Sequence, residues 1–273
     1  MSSQEVLEAA NTAFKKLKKD NPATQVTLEQ VIGDTLSEDV LTSARRSFEA
    51  LINPMASFID LNEFDDFIKN AIEKPLSLLN KSPSALDPNN KSSDKEISQQ
   101  IEQAKKNILI ELARNAYEAF INSTMGKDER TIAVQLNRIR EPLRRVGADA
   151  SVLLPHTMFS PAAAKEAAEQ RIAASAKESR IVNARNIFWQ LQDKAPTTSG
   201  AARYRDSLAD QMLQEMTESL QKAGAEPSVL GAGLSNAEAA KRIWDAMDRI
   251  HASNKAAADN LKKKRSGGPG PRI

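Results

Sequence analysis

SDKEISQQIEQAKKNILIELARNAYEAFINS, residues 93–123, decides the fold class of this chain. Ser93 and Glu96 form a capping box: the serine hydroxyl serves an early amide, and the glutamate reaches back. Behind it Ile97, Ile101, Ala104, Ile108, Leu112 and Ala116 recur every three or four residues, so one apolar stripe runs down a helix. A helix of this length spans roughly 45 Å at about 1.5 Å per residue. The stripe predicts that Ile97, Ile101, Ile108 and Leu112 are buried.

Similar signals surround it. Leu7, Ala10, Phe14 and Leu17 mark a helix over 3–19, ended by Asn21-Pro22. Thr27 with Gln30 opens a short helix. Leu41, Ala44, Phe48 and Leu51 give another over about 37–53, stopped before Pro54. Residues 57–79 read as helix with Pro75 as a kink or a new start. Residues 80–92, rich in Pro, Asn and Ser, are the clearest loop. Beyond the central helix come a basic helix at about 128–146 that contains Pro142, a connecting loop at 147–160, and an Ala/Glu/Lys/Arg-rich helix at 161–194. A turn at 195–200 leads to a helix at about 201–223. Ser235 and Glu238 then cap a last helix bearing Ile243, Trp244, Met247 and Ile250. No stretch alternates with period two long enough for a strand, and no internal repeat of fixed length stands out. The expected fold is all-α: a helical bundle with an extended helical C-terminal region and a disordered basic tail. The expected divisions are an N-terminal arm helix at 1–24, a bundle core at 25–146, a C-terminal helical region at 147–262 and a tail at 263–273.

Composition narrows the chemistry. The 273 residues include no cysteine and two histidines, His156 and His251. Disulfide and thiolate chemistry are therefore excluded. No phosphate-binding glycine loop and no metal-ligand spacing appear, so no cofactor and no enzymatic role is expected. Asp65-Asp66 with Glu63 nearby lacks a nucleophile or base to work with. The net charge is +2; residues 1–150 hold 20 Lys/Arg against 23 Asp/Glu, and residues 151–273 hold 18 against 13. The excess of five in the second part matches Lys262, Lys263, Lys264, Arg265 and Arg272. No run approaches the roughly 18 apolar residues of a membrane span, and no signal peptide opens the chain.

Binding candidates are therefore basic. Arg138, Arg140, Arg144 and Arg145 lie on one short helix, with Arg140 and Arg144 on a common face. Guanidinium forks suit phosphate because each grips two oxygens. Arg45-Arg46 and Lys105-Lys106 sit on polar faces of two helices and would line one groove if those helices are neighbours. The competing interpretation of each cluster is a solvated helix face with local carboxylate partners such as Glu141.

Two stretches resemble coat proteins of rod-shaped plant RNA viruses, the tobamovirus-like family. Ala44 to Pro54 is similar to an Arg- and Phe-containing helix that ends near a proline. Ile101 to Arg114 is similar to the family's long helix. The Pro/Asn/Ser-rich loop at 80–92 falls where that family has its inner-radius loop. The resemblance implies a structural coat or nucleocapsid subunit, in a virion or in host cytoplasm, that self-assembles into a helical filament. Such a subunit binds single-stranded RNA through phosphates, and coat proteins of flexuous filaments or a viral nucleoprotein fit the same description. The RNA-contacting set would be Arg45, Arg46, Lys105, Lys106, Arg138, Arg140, Arg144 and Arg145. The alternative is a helical protein-interaction module, an effector or adaptor, with no nucleic-acid role.

Overall fold

The computed structural model describes residues 11–12, 14–16, 18–20, 37–53, 58–89, 91–154, 160–193 and 202–266. Among them the chain is all-helical, with no strand. The helices are α1 (Ser37–Ile52), α2 (Leu61–Phe67), a π-helical turn (Ile68–Glu73), α3 (Lys74–Leu78), α4 (Asp94–Ile121), α5 (Glu129–Arg145), α6 (Pro161–Asp193), α7 (Ala202–Ala223) and α8 (Asn236–Ser266). The capping box expected at Thr27–Gln30, the turn at 195–200 and the tail beyond Ser266 lie outside the described residues. Residues 263–266, assigned from sequence to the tail, belong to α8, because Lys and Arg are good helix formers and no Gly or Pro comes before Gly267.

The two capping boxes that fall within the described residues both form. The Ser93 amide and hydroxyl donate to Glu96 at 2.7 and 2.8 Å, and the Ser235 pair repeats this with Glu238 at 2.8 and 2.7 Å. Pro75, expected as a kink or a new start, lies in the first turn of α3. The preceding turn widens to a π register, with the Lys74 amide donating to the Lys69 carbonyl, so the helix runs into a residue that has no donor to offer.

The buried face of α4 differs from the expected stripe. Ile97 and Leu112 are buried, but Ile101 and Ile108 are only half-buried. Burial moves instead to Leu109, Ala113, Tyr117 and Phe120. The 3.6-residue period drifts against a strict i, i+4 row, so a helix this long turns its buried face as it goes.

Contacts divide the chain into residues 1–116 with 138–161, and residues 117–137 with 162–273. The division does not fall after residue 146, as the sequence suggested. Arg145 grips Asp65, and Arg114 donates to the Val152 carbonyl, which ties 138–161 to the earlier helices. Glu129 pairs with Arg180 and Lys222, and Ser179 donates to the Met125 carbonyl, which ties 117–137 to later ones. The first unit centres on Ala44, Phe48, Phe64, Ile72, Leu86 and Ile97, the second on Ala184, Phe188, Met216, Leu230 and Met247.

One arrangement occurs three times among the described residues. A first helix carries Ala-Arg, an aromatic residue three positions after the arginine, and Leu or Phe three beyond that. These are Ala44-Arg45, Phe48, Leu51 in α1; Ala113-Arg114, Tyr117, Phe120 in α4; and Ala184-Arg185, Phe188, Leu191 in α6. All nine apolar residues are buried. A second helical segment ends in a left-handed residue: Asn80 at φ 50°, Gly147 at 62° and Gly224 at 57°. Each time the following amide returns to a leucine carbonyl, Lys81 to Leu76, Ala148 to Leu143 and Ala225 to Leu220, closing a Schellman cap. A 3-10 turn follows: Pro83–Leu86, Ala150–Leu153 or Pro227–Leu230. The third residue of that turn receives the arginine. Arg45 Nε donates to the Ala85 carbonyl at 2.9 Å, Arg114 Nε to Val152 at 2.7 Å and Arg185 Nε to Val229 at 2.6 Å. The closing leucines, Leu86, Leu153 and Leu230, are buried.

The sequence expectation of no internal repeat is therefore corrected. Among the described residues there are three copies of a helix–helix–turn module locked by an arginine. The first and third copies share one more device: the Ser84 amide donates to Asp94 Oδ1 at 2.7 Å and the Ser228 amide to Asn236 Oδ1 at 2.8 Å. This pins each turn to the start of the next helix.

Candidate functional site

The eight basic candidates separate by what their side chains do. Arg45 is committed to the lock, and its second nitrogen pairs with Glu38 at 3.2 Å. Lys105 pairs with Glu102 at 3.2 Å and Glu73 at 3.6 Å. Arg144 forks onto Glu141, donating at 2.8 and 2.7 Å. Arg145 forks onto both oxygens of Asp65 at 2.9 and 2.7 Å and also reaches Glu141. The two guanidinium groups, Arg144 foremost, hold the Glu141 carboxyl down from 4.5 to about 2. Arg46, Lys106, Arg138 and Arg140 are exposed, and among the described residues none of them enters a hydrogen bond or ion pair.

The groove expected from Arg45-Arg46 with Lys105-Lys106 does not assemble. Lys105 and Lys106 line an open groove of about 810 Å³ along α4, with Gln99, Gln103, Leu109 and Arg145. Arg45 turns instead to the 3-10 turn. Where α1 and α4 do meet, a groove of about 600 Å³ is faced by Leu51, Ile52, Phe58, Ile108 and Leu112, with no cation from either pair. Arg138 and Arg140 lie on α5, three and one residues before Glu141, and stay clear of it.

Carboxylates noted in the sequence act as local fasteners. Asp65 receives Arg145, and Glu63 accepts from the Ile59 amide at 2.6 Å. Asp60, which the sequence reading passed over, caps α2 by accepting from Asn62 and Glu63. Glu129 was likewise missed. It sits between Arg180 and Lys222, and the Arg180 hydrogen bond holds its carboxyl below the usual range. The lock arginines that the sequence reading overlooked are Arg114 and Arg185, whose signal is the shared Ala-Arg-x-x-aromatic pattern. Among the described residues no three His, Cys, Asp or Glu side chains converge to hold a metal ion.

Large apolar side chains remain at the surface: Ile59, Met125, Val134, Trp189 and Trp244. Ile59 and Met125 are 89% and 73% exposed, and each lies in the connection between the two helical segments of its module. No described helix is long and apolar enough to cross a membrane. No family model, curated protein or solved structure matches this chain.

Proposed function

We propose that this chain is a non-enzymatic binding scaffold, a protein-interaction module of repeated helical hairpins. The triple arginine lock carries the reading. Repetition of a structural unit with its fixing contacts preserved builds extended binding surfaces rather than a catalytic centre. Between-helix connections are where such proteins place contacts to partners. Ile59 and Met125 sit in those connections, and exposed apolar groups there favour a protein partner. Substituting Ile59→Glu and Met125→Glu tests this. Each variant should unfold within about 0.5 kcal/mol of the parent, as surface positions do, while chemical crosslinks from the parent chain to partner proteins at these connections are lost. A loss of more than about 2 kcal/mol would make these residues core elements and remove them as a binding surface.

A second reading, a coat subunit sheathing single-stranded RNA in a filament, is favoured by one observation: Arg138 and Arg140 are exposed on one helix, and among the described residues no carboxylate pairs with them. Phosphate contacts release counterions, so binding falls with salt at about −0.7 per contact for single strands. The Arg138→Gln/Arg140→Gln variant should flatten that slope by about 1.4. A wild-type chain that leaves fluorescent single-stranded RNA free at low salt and shows no filaments by electron microscopy eliminates this reading.

A further inference from the structure

We propose that α8 is a self-association helix, pairing antiparallel with α8 of a second copy in a closed two-fold dimer. Three observations carry this. First, tryptophan replaces glutamate at exposed module positions. The capping boxes align Ser93 with Ser235, and this register sets Trp244, 68% exposed, at the place of the exposed Glu102. A large apolar ring at a position that is charged in the other copy is a mark of an interface rather than of folding.

Second, α8 is not shaped to receive another module. Where α4 carries Ala113, Arg114 and Tyr117, the same register gives Lys255, Ala256 and Asp259, all exposed. The face that grips a second helix elsewhere is polar here.

Third, the exposed stripe is self-complementary. Lys241, Asp245, Asp248, Ala252, Lys255 and Asp259 follow in alternating steps of four and three, which puts them on one face of the helix. All six are exposed, and the five charged residues Lys241, Asp245, Asp248, Lys255 and Asp259 enter no ion pair among the described residues. Turned antiparallel about position 250, the stripe sets Lys241 opposite the second copy's Asp259, and Asp245 opposite its Lys255. Trp244 then flanks the stripe on the side where the second copy presents the stem of Lys255 and the small Ala258. The two-fold axis repeats every contact, so the assembly closes at two chains instead of growing into a filament.

Sedimentation equilibrium of the full chain over about 1–100 micromolar, the range expected of a single helix pair, tests this. The wild type should follow a monomer–dimer equilibrium. Trp244→Glu should weaken it about tenfold or more, the loss expected of an aromatic anchor. Lys241→Glu and Asp259→Lys should each weaken it, and the double variant should recover dimerisation by restoring an opposite pair. Circular dichroism confirms that each variant keeps its helix content. A wild type that is monomeric throughout, assemblies beyond dimers that survive Trp244→Glu, or a double variant no better than either single would overturn the proposal. None of these outcomes bears on partner binding at the Ile59 and Met125 connections.

Discussion

Replacing the lock arginines by methionine isolates what the lock contributes, since methionine keeps an unbranched stem and loses every donor. A hydrogen bond from a charged group is worth roughly 1.5–3 kcal/mol, and an acceptor left unpaired adds its own desolvation cost. The donor–acceptor distances, 2.9, 2.7 and 2.6 Å, are too similar to rank the three. Burial does rank them: the side chains of Arg45, Arg114 and Arg185 are 19%, 36% and 43% exposed. Water can replace the missing donor more easily at the more exposed sites. Arg45→Met should therefore cost about 2–3 kcal/mol and Arg185→Met about 1–2 kcal/mol, with Arg114→Met between them. The accompanying ion pairs, Glu38, Glu111 and Glu178, lie toward solvent and add about 0–1 kcal/mol each. Arg46→Met is the control: it adjoins Arg45, is exposed, and should change stability by less than about 0.5 kcal/mol. Urea unfolding followed by circular dichroism reads the differences. Lock variants indistinguishable from Arg46→Met, or an order that puts Arg185 first, would refute the reasoning.

The Tyr117 hydroxyl is buried and without a partner among the described residues, and the matching positions hold Phe48 and Phe188. Tyr117→Phe should leave stability unchanged or raise it by up to about 1–2 kcal/mol in the same urea assay; a loss above about 1 kcal/mol would reveal a partner for the hydroxyl. A Cβ built on Gly126 falls 2.5 Å from the Asn183 backbone nitrogen. Backbone cannot yield as a side-chain tip can, so Gly126→Ala should cost about 1–3 kcal/mol, read as a lower thermal midpoint. For Glu141, the folded carboxyl titrates at about 2 against 4.5 ordinarily. Its pairing with Arg144 and Arg145 therefore stabilises the fold above pH 4.5 and fades as pH falls toward 2. The parent should lose more stability across that window than Glu141→Gln, and parallel pH curves would contradict the assignment.

Sequence alone determined the helices and their punctuation, because those signals are local. Ser93–Glu96 and Ser235–Glu238 announce their helices through contacts three residues apart, apolar spacing reveals α1 and α4, and composition reveals α6, all without knowledge of any neighbour. Tertiary structure decided everything that depends on which elements meet. Arg45 and Arg46 are indistinguishable as letters; one reaches a carbonyl 40 residues away and the other faces solvent. Arg144 and Arg145 read as phosphate forks until Glu141 and Asp65 are found to fill them. Ile108 belongs to the apolar stripe of α4 yet is only half-buried, because the helix turns its contact face as it lengthens. The module repeat was present in the letters at 44–53, 113–122 and 184–193, but thinly. Across all three copies only residues that touch the lock and the core are held alike; the first two also share Glu49/Glu118, Ala50/Ala119, Ile52/Ile121 and Asn53/Asn122, which the third replaces. The pattern emerges once three arginines are seen to reach three equivalent carbonyls, since a long-range hydrogen bond leaves no periodic trace along the chain.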